Sequence, residues 1–155
     1  NGTVTAANAS TINDGASALI LASADAVKKY DLKPIAKILS FADTAQAPQW
    51  FTTAPTKAAP KALKLAKMTT NDVDFFEINE AFSVVPLAFN KILDINIDKV
   101  NVHGGAVSLG HPLGASGARI VTTLNTVLQS KDASIGCAVI CNGGGGASSI
   151  IIERV

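Results

Sequence analysis

Two histidines, two cysteines and ten of the twelve glycines fall between positions 103 and 146 of this 155-residue chain. His103 and His111 can exchange a proton near neutral pH, and Cys137 and Cys141 supply thiols. Glycine at that density implies tight turns and close approach of backbone to another group. The segment therefore concentrates acid–base and thiol chemistry on a backbone suited to bringing N–H groups up to a ligand.

His111 stands in Leu-Gly-His-Pro-Leu-Gly, just ahead of a helix that opens Gly114-Ala-Ser-Gly117. The following proline restricts its backbone, and the positive end of a helix disfavours the imidazolium, so the ring stays a usable base. An exposed loop histidine is the duller alternative. His103, beside Gly104 and Gly105, reads as a structural hydrogen-bonding residue. Cys141 closes an apolar run and precedes Asn142 and four glycines, which suits an acid–base thiol beside an oxyanion hole. Cys137 reads as a small buried hydrophobe. Asn79 ends a strand-like run and opens a helical one, where capping is sufficient to explain it, although open α/β sheets also place ligands there. The glycine run has neither the lysine of a phosphate loop nor dinucleotide spacing, and four His and Cys without paired spacing make a poor zinc set.

The elements that must position these groups follow from periodicity. Strands are expected at 16–22, 35–41, 73–78, 135–141 and 149–153, the last pairing back as an antiparallel hairpin. Helices are expected at 24–30, 56–68, 79–93 and 115–129, with an irregular connection over 46–56. The expectation is an α/β fold: a five-stranded mixed, mostly parallel sheet covered by helices. Apolar residues make up 48% and charged residues 16%, which fits one compact domain over 1–155, with 1–15 leading in. A net charge of +1, without a basic run or a long apolar span, argues against nucleic acid and membrane partners. Two unpaired-looking cysteines fit a reducing compartment. The absence of an initiator Met suggests a piece of something longer.

Taken together, NEAF at 79–82, GGAVSLGHPLGASGAR at 104–119 and CNGGGGAS at 141–148 resemble the C-terminal half of a thiolase. The opening GTVTAANAS and NDGA resemble the segment leading into that half, so the resemblance spans the chain. It implies a thiolase-like half-fold, and it points to the biosynthetic type that reversibly joins two acetyl-CoA into acetoacetyl-CoA by ping-pong covalent catalysis. A degradative 3-ketoacyl-CoA thiolase domain is the alternative, as is a domain that in isolation only binds coenzyme A or a partner.

By that resemblance His111 activates a nucleophilic cysteine of the N-terminal half and helps stabilise the enolate, while Asn79 holds a water that completes that oxyanion hole. Cys141 removes the α-proton and reprotonates the leaving species, and the Gly143 N–H faces the tetrahedral oxyanion. Ser10 and Ala6 lie along coenzyme A, and Phe82 with Phe51 (and its neighbour Trp50) borders the acyl pocket. Backbone carbonyls of Ala6, Ala7, Ala9 and Val107 match a potassium site of some relatives. No other cofactor is implied. The partners implied are acetyl-CoA, acetoacetyl-CoA, coenzyme A, the N-terminal half and further copies in a dimer or tetramer. The expected location is cytoplasmic, mitochondrial being the alternative.

Overall fold

A computed structural model describes residues 2–155. The order of elements is α1 (Ala24–Lys29), β1 (Ala36–Ala45), a 3-10 segment (Pro48–Thr53), α2 (Pro55–Leu65), β2 (Phe75–Ile78), α3 (Val84–Leu93), α4 (Ala106–Leu109), α5 (Ser116–Ser130), β3 (Ile135–Cys141) and β4 (Gly146–Arg154). The four strands form one sheet in the order β1-β4-β3-β2. β2 runs parallel to β3, whereas β4 is antiparallel to both β3 and β1.

β3 explains the layering. Its residues alternate between faces: Cys137, Val139 and Cys141 join the core under α2, and Ala138 joins the core under α5. Apolar on both faces, it can only be a central strand. On one side α2 lays Ala58, Ala59, Ala62 and Leu63 against the sheet, with Phe76 and Phe89 meeting edge-to-face at 5.7 Å beside them. On the other, α5 contributes Ile120, Leu124 and Leu128. Its approach is so close that a Cβ on Gly136 would lie 2.8 Å from the Leu124 side chain.

The α/β class and mixed sheet are as expected, but the sheet has four strands rather than five, and two of its three pairings are antiparallel. The discrepancy lies at 16–22. That run has no regular secondary structure and makes no strand pairing, leaving Ile20 93% and Leu21 75% exposed. Its apolar character is real, but the described residues offer it no neighbour to pair with. It is tied to the loop before α5: Ser17 Oγ donates to the Ala115 carbonyl, and Gly15 lies against Pro112.

The expected helix at 79–93 also starts later. α3 begins at Val84, with Ser83 at its N-cap position, so Asn79 caps nothing. Asn79 N–H instead extends the parallel ladder by donating to Val139 O at 2.9 Å. Asn101 clamps the outer edge of β2, accepting from Ile78 N–H at 2.7 Å and donating through Nδ2 to Ile78 O at 2.9 Å.

Candidate active site

Because β2 and β3 are parallel, with Ile78 opposite Val139, Asn79 and Cys141 leave the sheet at the same edge. This is the carboxyl edge where open α/β sheets receive ligands. The N-terminal end of α5 arrives at that edge, preceded by His111. A cavity of about 830 Å³ opens there, and Ser10, Phe51, Phe82, His111, Cys141 and Gly143 all line it. Asn79, fully buried, stands behind the wall and reaches His111, its Nδ2 lying 3.3 Å from the ring Nε2.

His111 is held at both ends of its residue. Its N–H donates to Thr11 O at 2.9 Å, which joins the N-terminal segment to the loop. Its Nδ1 lies 2.6 Å from Ser116 Oγ. Burial, and secondarily the nearby Arg119 guanidinium, hold the imidazole below its ordinary pKa, so the ring is neutral at pH 7. The neutrality anticipated from a helix end therefore has a different cause, desolvation and a fixed cation.

Cys141 is buried at the end of β3, and burial pushes its thiol up. No cation or helix end among the described residues reverses that, so the thiol is protonated near neutrality. Cys137, fully buried with Ser149 Oγ at 3.5 Å, is pushed up to about 12 and is inert.

The turn after Cys141 is built by Asn142, whose Oδ1 accepts from Gly144 N–H at 3.1 Å and Gly146 N–H at 3.2 Å. Gly145 N–H donates to the Asn142 carbonyl at 3.2 Å. Gly143 N–H has no partner among the described residues, and it lies in the cavity wall. Such a donor is available to an anionic oxygen.

Phe51 and Phe82 meet edge-to-face at 6.1 Å and form an apolar side of the cavity. Trp50, expected to share that border, is 60% exposed and does not line it, because the 3-10 segment turns only one of the two rings inward. Ser10 lies in the wall, with its hydroxyl donating to Ala81 O at 2.9 Å. His103 is exposed, 3.4 Å from Ser130 Oγ, and takes no part.

The segment 6–9 and Val107 are both tied to residues 80–83. Ser83 N–H donates to Asn8 O at 2.9 Å, and Val107 N–H donates to Glu80 Oε2 at 3.0 Å. The carbonyls of Ala6, Ala7, Ala9 and Val107 are neutral hard oxygen donors, a set chemically suited to a weakly held monovalent cation. Among the described residues no cluster of His, Cys, Asp or Glu could hold a metal, and no helix is long and apolar enough to cross a membrane.

Several site residues carried no sequence signal. Glu80 and Asn101 read as ordinary polar residues, yet Asn101 Nδ2 donates to Glu80 Oε1 at 2.9 Å and the pair fixes the loop leading to His111. The Glu77–Arg119 ion pair, 2.8 Å long, lies beneath. The two charged residues, Asp74 and Glu77, inside the otherwise apolar run Val73–Ile78 were the available hint.

These features describe an α/β catalytic domain that presents a neutral imidazole, a thiol and a free amide at the carboxyl edge of its sheet. Residues 32–154 match the family described as thiolase, C-terminal domain. The chain belongs to the thiolase family. It is 61% identical over all 155 residues to the acetyl-CoA acetyltransferase of Schizosaccharomyces pombe, of which it covers 39%. It is 57% identical, again over its whole length and 39% of the relative, to the cytosolic acetyl-CoA acetyltransferase of Gibberella zeae. The crystal structure of the Acat5 thiolase from Ascaris suum in complex with coenzyme A superposes with a TM-score of 0.94 at 54% identity, over 99% of this chain and 40% of that one. The chain thus spans about two-fifths of the length of these relatives.

Proposed function

We propose that this chain is the acid–base portion of an acetyl-CoA C-acetyltransferase, which condenses two acetyl-CoA into acetoacetyl-CoA and coenzyme A and runs the reverse thiolysis. The observation that carries the proposal is the convergence of His111, Cys141 and the unpartnered Gly143 N–H on one cavity, with Asn79 behind them. The names and coenzyme A complex of the relatives support the substrate class.

In this reading a cysteine outside the chain, in an N-terminal segment, attacks the first acetyl-CoA, the thioester C–S bond breaks, and Cys141 gives its proton to the departing coenzyme A sulfur. His111 takes the proton of the attacking thiol. Cys141, now a thiolate, removes an α-proton from the second acetyl-CoA; the enolate carbon attacks the acyl group held on the nucleophilic cysteine, and the tetrahedral intermediate collapses with loss of that cysteine's thiolate, which regains its proton from His111. The enolate oxygen is met by His111 and a water held by Asn79, and the tetrahedral oxyanion by Gly143 N–H. A thioester α-proton is weakly acidic, so removal requires donors already in place. Burial, which pushes the Cys141 thiol up, keeps it protonated at rest, as the donor to the leaving sulfur must be.

Ser10 and Ala6 border the coenzyme A arm, and Phe51 and Phe82 confine a short acyl group. Potassium, held by the carbonyls of Ala6, Ala7, Ala9 and Val107, would brace the loop and carry no step. We place the complete protein in the cytosol as a homo-oligomer, the former by its similarity to a cytosolic relative.

The test is thiolysis of acetoacetyl-CoA, followed at the enolate absorbance with coenzyme A in excess. The chain alone is expected to be inactive, and the chain joined to the N-terminal segment of the S. pombe relative active. Activity of the chain alone would make one of its own cysteines the nucleophile and overturn the assignment.

A further inference from the structure

Ser116 was not among the residues expected to do chemistry, yet its side chain is buried against the candidate base. Its hydroxyl lies 2.6 Å from His111 Nδ1 and 3.0 Å from the Pro112 carbonyl. That carbonyl also receives the N–H groups of Ala115 and Ser116 at 2.8 and 3.0 Å, closing the turn that starts α5. On the opposite edge of the ring, Asn79 Nδ2 lies 3.3 Å from Nε2.

A hydroxyl owns one proton, and an amide NH₂ has no lone pair to offer. With the Ser116 proton directed to Pro112 O, the oxygen facing Nδ1 can only accept. With the Asn79 NH₂ facing Nε2, that nitrogen can only be the acceptor. These two orientations, which leave Asn79 Oδ1 without a partner, put a proton on Nδ1 and a lone pair on Nε2.

From this juxtaposition we infer that Ser116 is a positioning residue that fixes His111 in its Nδ1–H tautomer, leaving Nε2 as the single port for the proton. The inference deepens the proposed function and rests on His111 being its base. The same Ser116 hydrogen bond serves the neutral ring and the imidazolium, because Nδ1 keeps its proton in both. Proton uptake at Nε2 thus leaves the Ser116 contact as it is and displaces only the Asn79 amide from the Nε2 lone pair. Ser116 is 1% exposed and His111 8%, so water is poorly placed to replace the hydroxyl. Arg119, whose charge acts on the ring, favours the neutral form.

The experiment is nitrogen-15 NMR of the histidine rings in the protein completed with the N-terminal segment, His111 being assigned by comparison with His111→Asn. Nδ1 is expected at the shift of a protonated ring nitrogen and Nε2 at that of a bare one. Ser116→Ala is expected to mix the tautomers and lower kcat for thiolysis about tenfold while KM for acetoacetyl-CoA stays. Ser116→Thr, which keeps the hydroxyl, is expected to restore both the spectrum and most of kcat. A wild-type ring protonated on Nε2 would overturn the inference, as would Ser116→Ala with unchanged tautomer and kcat. If Ser116→Ala does not fold, the wild-type spectrum decides by itself. A completed protein without thiolysis but with Nδ1–H on His111 would count against the proposed function and leave the tautomer assignment standing.

Discussion

Two kinds of glycine occupy the same third of the chain, and they separate the frame of the molecule from the wall of its cavity. Gly145 belongs to the frame. Its φ is +88°, and a Cβ would lie 2.2 Å from the Gln46 carbonyl oxygen, so only glycine closes the turn between β3 and β4. Gly143, two residues earlier, has ordinary backbone and nothing within 4 Å of where a Cβ would be. Gly114 and Gly117 are equally unconstrained, and all three line the cavity. The folded chain accounts for the first kind. Nothing in the folded chain explains the second kind, and in the proposed reading the space is left for substrate or for the segment that completes the site.

The largest test of that division sets two substitutions against each other. Gly143→Ala is expected to leave the unfolding free energy within about 0.5 kcal/mol. In the completed protein it is expected to lower thiolysis about 10²–10³-fold, because a methyl displaces an oxyanion from the N–H. Gly145→Ala should do the reverse in kind, costing about 3 kcal/mol of stability through strain and collision. Urea unfolding of the two variants, with kcat measured beside it, checks the pair. Equal stability losses would erase the distinction between frame and wall.

A smaller effect tests how the frame carries charge under the wall. Glu77 is 1% exposed and 2.8 Å from Arg119, yet burial outweighs that cation and raises its carboxyl from 4.5 to about 7. The folded protein therefore holds a proton that the unfolded chain releases above about pH 4.5. Its contribution to stability is full below that value and is lost as pH rises through about 7. The size is of order 3 kcal/mol. Glu77→Gln keeps an acceptor for Arg119 without the titration. Denaturation midpoints at about pH 5 and pH 8 should fall with pH for the wild type and stay level for the variant. A level wild type would show that Arg119 keeps Glu77 ionised.

How much of this was legible beforehand depended on whether the signal was local. The run 135–141 is apolar at nearly every position and forms β3 with those bounds, and α5 at 116–130 follows its apolar stripe to within one residue at each end. The run 16–22 has the same apolar character but no partner strand, and pairing cannot be read from a single segment. The mostly antiparallel balance of the sheet was missed for the same reason, since β1 pairs with β4 across more than a hundred residues. Among the candidate site residues, His111 and Cys141 stood out by type and neighbourhood, and Gly143 only through the family resemblance. Ser116, Glu80 and Asn101 act only through contacts that the fold creates. Asn79 was misread locally: it meets the rule for a helix cap, but the turn 79–83 delays the helix, and its amide is left for His111.

The smallest effect carries the comparison furthest. Gly117 lies in the first turn of α5, with open space where its Cβ would be, and it lines both the cavity and the neighbouring groove along Phe41, Ile120 and Ala138. Nothing in the chain's own packing favours glycine there, and glycine costs a helix about 0.5–1 kcal/mol relative to alanine. Gly117→Ala is therefore expected to raise the stability of the chain by that amount, seen as a higher urea midpoint with an unchanged slope. In the completed protein the same methyl is expected to lower stability or thiolysis, because the space is filled there by the added segment or by substrate. A loss of stability in the chain alone would place Gly117 with Gly145. A gain in both contexts would leave the glycine without a functional reason, and would confine the wall's role to Gly143.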